Sequence, residues 1–318
     1  MDDYGDELGG EFVKQQKSIA KEHAKEVATF INTSDEAKSS VLKKVQENGY
    51  VTCGTKDEFP GFSEEAFDAE EGIVVWKGFD VDICRAVAAA IFGDANAIEY
   101  VVVNGKTRFE FLIDGSIDML SAATTFTFTR NVQKNLEFLP TTYYDGQGFI
   151  VRKTLGVSSA KQMEGARICF SGSGTAAKNI ADFMKLHGIN YIPVDVPPNQ
   201  KTRDVYKKGD CDMYGTDRSG LASNRLSFDD PERHMILPEI ISKEPLGPVV
   251  RQGDDQWFNI VRWSLNAMIN AEEMGVSSGN VNNMKYSANL DPGIARLIGK
   301  EGKFGEELGL SNDWAYNI

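Results

Sequence analysis

A short pattern that occurs twice restricts the fold of this chain more than any other feature. Gly115-Ser-Ile-Asp118-Met119 returns as Gly209-Asp-Cys-Asp212-Met213, and each copy runs through apolar residues to a polar end. The first continues through Leu120, Ala122 and Ala123 into hydroxyls, Thr124, Thr125, Thr127 and Thr129, and closes on Arg130. The second continues through Tyr214 to Thr216 and Asp217. Short apolar runs punctuated by glycine read as buried strands. Upstream, Gly49-Tyr-Val-Thr-Cys53 and Gly165-Ala-Arg-Ile-Cys169 match in spacing. Two similar halves, each releasing an inner strand into polar groups, predict two α/β lobes that face one another. Open α/β sheets hold their ligands at such strand ends.

Arg130 offers a planar fork of donors that fits a carboxylate bidentately. Taken alone, an arginine after a strand is equally a solvated surface charge. Asp217, taken alone, is equally a cap for a helix over Ser219 to Arg225. The repeat sets the two on opposite lips of one cleft, which suits a zwitterion: carboxylate to Arg130, ammonium to Asp217.

With 318 residues and 41% hydrophobic content the chain has room for two modest domains, each with a core. No apolar run approaches the ~18 residues of a membrane span. A net charge of −13 and the lack of a basic stripe argue against nucleic acid as a partner. The four cysteines fall two to each half and lack zinc-knot spacing. Cys53–Cys84 and Cys169–Cys211 are feasible bridges, which fits an oxidising compartment; four buried free thiols are the other reading. None of the three histidines sits beside a nucleophile, and neither a metal-ligand cluster nor a nucleophile elbow is present. Binding without chemistry is expected, with no metal or cofactor.

Along the chain, residues 1–46 read as a helical extension, weakly amphipathic around Val27, Phe30 and Ile31. No basic region precedes an apolar one; either a leader has been removed, which is the expectation here, or the protein is not exported. A strand over Tyr50 to Gly54 places Lys56, Asp57, Glu58 and Phe59 at its top, facing the cleft. Phe59 there either covers an aliphatic ligand chain or anchors the loop before Pro60. Asp80 is expected to cap a helix that buries Ile83, Val87, Ala90 and Ile91, and Arg108 to Leu112 forms a short helix. Gly146 and Gly148 before Phe149 to Val151, and the proline-interrupted segment Leu237 to Arg251, suit two crossings between lobes. Ser171-Gly-Ser-Gly-Thr175 precedes a helix over Ala176 to Leu186, and its free amides can hold an anion. It lacks the Gly-Lys-Ser/Thr ending of a phosphate loop, and a plain glycine turn stays open. Trp257 to Met274 is a periodic helix packed back on the first lobe.

GFDVDICRAVAAAIFGD, DGSIDMLSAATTFTFTR, TTYYDGQGFIVRK and LPEIISKEPLGPVVRQGDDQWFNIVRWSLNAMINAEEMGV closely resemble the general L-amino-acid-binding periplasmic proteins of ABC importers, within the family 3 extracellular solute-binding proteins. The likeness runs from about Lys44 to Ile318. It implies a two-lobed type II periplasmic-binding-protein fold: lobe 1 over 47–148 and 246–318, lobe 2 over 149–245. It further implies a monomer that captures an L-amino acid by lobe closure and presents it to a membrane permease. By the same resemblance Arg130 grips the α-carboxylate and Thr125 touches both main-chain groups. Gly174 and Thr175 complete the carboxylate site through backbone amides, Asp217 takes the ammonium, and Phe59 covers the side chain. Ala122 and Ala123 stand where relatives often carry polar residues, so any contact there is through backbone carbonyls. Asp57 or Glu58 in the pocket would favour a cationic side chain. Periplasmic dehydratases acting on prephenate or arogenate look similar, and Glu58 is the acid such an enzyme would need; an amino-acid sensor is a third reading.

Overall fold

A computed structural model of the chain describes residues 41–69 and 72–318. The amphipathic stretch around Val27 lies outside the described residues. Helix α1 (Val41–Asn48) leads into β1 (Val51–Thr55). Val41, Leu42 and Val45 pack into the same core as Trp257 and Ile260, so residues 41–46 of the expected extension belong with the first sheet. An antiparallel sheet of β2 (Glu58–Phe59), β3 (Ser63–Asp68) and β4 (Ile73–Lys77) follows, then α2 (Phe79–Phe92), β5 (Ile98–Val102), α3 (Thr107–Asp114), β6 (Met119–Leu120) and β7 (Leu136–Phe138). Strand β8 (Tyr143–Asp145) leaves this half and β9 (Gln147–Arg152) enters the next. The second half adds β10 (Arg167–Ser171), α4 (Ala176–His187), β11 (Ile192–Val196), α5 (Thr202–Lys208), β12 (Met213–Asp217), α6 (Arg218–Leu226) and β13 (His234–Ile236). The chain returns through β14 (Glu244–Leu246) and β15 (Val249–Arg251) to α7 (Asp255–Glu273) and the short helices of the tail.

The two five-stranded sheets share one plan. Their orders are β5-β1-β6-β15-β7 and β11-β10-β12-β9-β13. In each, the opening strand lies between two parallel neighbours, and an antiparallel strand closes on the inner strand's other side. That antiparallel strand arrives only after a crossing, so each sheet is completed by the connection to the other. The crossings pair with each other, β8 against β14, Glu244 opposite Asp145 and Leu246 opposite Tyr143. This is the two-lobed type II architecture.

The repeated pattern has a structural reason. Gly115 and Gly209 end α3 and α5 at φ 85° and 86°, a left-handed conformation that side-chain-bearing residues resist. Three residues on, Asp118 accepts from the Thr52 amide at 2.9 Å, and Asp212 from the Arg167 amide at 2.9 Å. Each carboxylate ties the start of an inner strand to its neighbour, and Met119 and Met213 follow into the cores at 0% exposure.

Of the two readings of the cysteines, the structure has the bridges. Cys53–Cys84 ties β1 to α2 and Cys169–Cys211 ties β10 to the turn before β12, with Cα separations of 6.3 and 5.8 Å. Asp80 is not a cap: Gly78 holds that position, and Asp80 lies inside the first turn of α2 at 4% exposure. Its carboxylate accepts from Ser121 Oγ and from the Ala123 amide, both at 2.8 Å.

Candidate functional site

The carboxyl ends of β1 and β6 face those of β10 and β12 across a cavity of about 460 Å³, within the usual range for small-molecule sites. From the first lobe come Lys56, Asp57, Glu58, Arg108, Ala123, Thr125 and Arg130. From the second come Gly174, Thr175, Arg203 and Asp217. Seven of the eight residues expected at the site thus share one lining. Phe59 does not: it is buried beneath it, stacked on Phe62 at 4.5 Å and packed with Ala123 and Leu246. The ring supports the floor, because Lys56 lies over it at 4.5 Å.

The loop after β6 is held from several sides. Ala123 has a φ of 46°, unfavourable for a residue with a Cβ, and Asp80 pins its amide from below. Thr125 pairs with Leu246 of the returning strand, so the loop is clamped to the crossing. A short π-helical turn, Thr129–Gln133, then carries Arg130 back. Arg130 is 7% exposed; its Nη1 donates to the Thr125 carbonyl oxygen at 2.6 Å and its Cζ lies 5.2 Å from the centroid of the Phe109 ring. One edge of the guanidinium is therefore fixed. Burial lowers its pKa, opposed by the fields of Glu244 and Asp217, and a ligand carboxylate would supply the missing counter-charge.

On the facing lip, Thr175 precedes α4, and its hydroxyl donates to the buried Glu244 at 3.2 Å. That bond fixes the loop that, with Gly174, lines the cavity at the start of α4, where the free amides of a helix N-terminus can hold an anion. Asp217 stands before α6 but makes no side-chain cap hydrogen bond, so it is not spent on the helix. Burial, with Glu244 second, pushes its carboxyl up to about 7. A cation entering the site would reverse that shift.

Two features escape a reading of the sequence. Arg108, in the first turn of α3, is 7% exposed and lines the cavity. Burial and the neighbouring Arg130 pull it down to about 9. A lone arginine in an amphipathic helix gives no signal of this; its position four residues past Asn104, at the top of β5, was the available hint. The second is the engagement of Glu58, a residue expected to face the cleft. It pairs with Lys201 and Arg203 of the other lobe, a bridge across the cleft mouth. The Lys201 hydrogen bond, aided by the Arg203 charge, holds its carboxyl below the usual range. Glu58 is thus an ionised, engaged carboxylate, neither free to choose a cationic side chain nor protonated to act as an acid.

Residues 51–277 match the bacterial extracellular solute-binding proteins, family 3. The chain belongs to that family. This family 3 protein is 49% identical over 284 residues to the general L-amino acid-binding periplasmic protein AapJ of Rhizobium johnstonii, covering 89% of this chain and 81% of that one. It is 44% identical over 279 residues to the glutamate/glutamine/aspartate/asparagine-binding protein BztA of Rhodobacter capsulatus, 88% and 81% covered. Among solved structures, a periplasmic binding protein of Brucella ovis with glutathione bound superposes with a TM-score of 0.81 at 42% identity, covering 88% and 86%. An ancestral arginine-binding protein, 22% identical with a TM-score of 0.58, shares the fold.

Proposed function

We propose that this protein is the extracytoplasmic capture subunit of an ABC-type importer, holding an L-amino acid between its lobes and presenting the closed form to a membrane permease. The names of AapJ and BztA support this reading. The observation that carries it is the placement of Arg130 and Asp217, from different halves of the chain, on one cavity whose mouth is bridged by Glu58, Lys201 and Arg203. Arg130, Thr125 and the Gly174–Thr175 amides take the α-carboxylate, and Asp217 takes the ammonium. Ala123 contributes backbone, Asp57 lines the rim, and Phe59 supports the floor from beneath. Closure excludes water, which strengthens each charge-assisted bond, so the ligand selects the closed lobes. We further propose a periplasmic, monomeric protein whose lobes comprise 47–148 with 246–318, and 149–245, a division the β8–β14 pairing supports.

The dehydratase reading has no support, since its acid, Glu58, is ionised. A γ-glutamyl peptide such as glutathione carries the same α-amino and α-carboxylate head as a free amino acid. The test is therefore a thermal-shift screen of ligand-stripped protein against the twenty L-amino acids and glutathione. Ligand at about a hundred times its Kd adds ~2.7 kcal/mol. Arg130→Ala should weaken binding of every hit by ~100-fold, because the ligand carboxylate loses its buried partner; near-normal affinity in titration calorimetry would sink the assignment.

A further inference from the structure

Beside the ligand cavity, the first lobe meets the second at a residue with no side chain. Gly105 lies against Ser173: a methyl on Gly105 would overlap Ser173 Oγ, 3.1 Å from its Cβ and 3.5 Å from its carbonyl oxygen. These are the three nearest neighbours such a methyl would have, and all belong to the other lobe. The backbone does not call for glycine either, because the φ of Gly105 is outside the left-handed region.

Both sides of the contact are fastened. Gly105 sits in a turn built by Asn104 before α3, the Asn104 Oδ1 accepting from the amides of Lys106 at 2.9 Å and Thr107 at 3.1 Å. Ser173 Oγ is bonded to Ser171 Oγ at 2.9 Å. The loop around it is tied through the Gly172 amide to Asp195 at 2.8 Å and through Thr175 to Glu244. Neither loop yields without losing hydrogen bonds, so the contact is a stop for the closing lobes.

A second cavity between the lobes, of about 650 Å³, lies on the far side of this contact, and Gly105, Arg130, Ser173, Gly174 and Thr175 line both cavities. On the reading above, three of those five hold the ligand's carboxylate. Gly105 and Ser173 complete the wall. Water passing there would weaken charge-assisted bonds that its exclusion strengthens.

We propose that Gly105 is a positioning residue for capture: its missing side chain lets Ser173 seat on the first lobe, sealing the wall behind the ligand's carboxylate and fixing how far the lobes close. This rests on the capture reading and adds to it the contact that completes closure.

Thermal-shift titration and stopped-flow release, with the twenty L-amino acids as probes, test this on ligand-stripped protein. Gly105→Ala should weaken binding of every hit by ~10-fold and Gly105→Val by ~100-fold, as overpacked contacts do, through faster release. Ser173→Gly removes the Oγ and Cβ that the methyl meets. Added to Gly105→Ala, it should restore affinity to within ~3-fold of the wild type. Ligand-free melting temperatures should match the wild type, which separates a failure to close from a failure to fold; a lower one in Gly105→Ala would place the role of the glycine inside its own lobe and overturn the proposal. Unchanged affinity in Gly105→Val, or a loss in Gly105→Ala that Ser173→Gly does not restore, overturns the seal and leaves the importer reading standing. If the wild type responds to none of the amino acids, both readings fall.

Discussion

Asp217 shows how a single residue is set against the stability of the empty protein. Its carboxyl rises from an ordinary 3.8 to about 7, through burial first and Glu244 second. The folded state therefore binds a proton that the unfolded state has released, and stability falls as pH climbs through that interval. Below pH ~4 the residue is neutral in both states and makes no difference. Asp217→Asn should leave ligand-free stability unchanged at pH ~4 and raise it progressively toward pH ~7, by about 1–3 kcal/mol, while abolishing binding. Thermal melts of both proteins across that range check the trend; a variant less stable than wild type at neutral pH would contradict it. Arg130 and Asp217 were legible in the sequence because opposite charges closed two copies of one pattern. Lys56 was expected to face the cleft and lines it; Arg108 was not, since burial of a long cation is decided by what packs around it and α3 alone reads as an ordinary solvated helix.

At the level of elements, apolar periodicity located the inner strands and α7, because those segments are buried on the faces that set the period. The three-stranded sheet of β2, β3 and β4 gave no such signal. Its strand β3, Ser-Glu-Glu-Ala-Phe-Asp, is acidic, and Ile73 and Val74 of β4 are exposed, so no alternation marks a core face. The echoed glycine and aspartate pointed to duplicated lobes correctly, although what they preserve is a helix stop and a strand tie rather than ligand contacts. The cysteines belong to the same scale, for each bridge fastens the opening strand of a lobe to a neighbouring element. Their sequence separations of 31 and 42 imply ~3–4 kcal/mol of loop entropy each. Replacing Cys169 and Cys211 with serine should lower the melting temperature by roughly 10 °C, read by calorimetry. An unchanged melting temperature would mean that the bridge contributes no stability.

Across the whole molecule, the Glu58 bridge adds an ionic link between lobes that also touch where β2 packs on α6 and where Gly105 lies against Ser173. It is partly solvated, with Glu58 at 42% side-chain exposure, so its contribution is about 0.2–1 kcal/mol. Glu58→Gln should weaken binding only about 2–5-fold, mainly by speeding release, and should reduce the salt dependence of that rate. Stopped-flow release at low and high ionic strength measures both. A hundredfold loss would place Glu58 on the ligand itself. The paired crossings carry a different consequence. Because Tyr143–Asp145 and Glu244–Leu246 are hydrogen-bonded side by side, neither can twist without the other. The pairing favours movement of one half against the other as a rotation about a shared spine, as with the covers of a book. Such a body opens like a leaf on its spine rather than by sliding one half along the other.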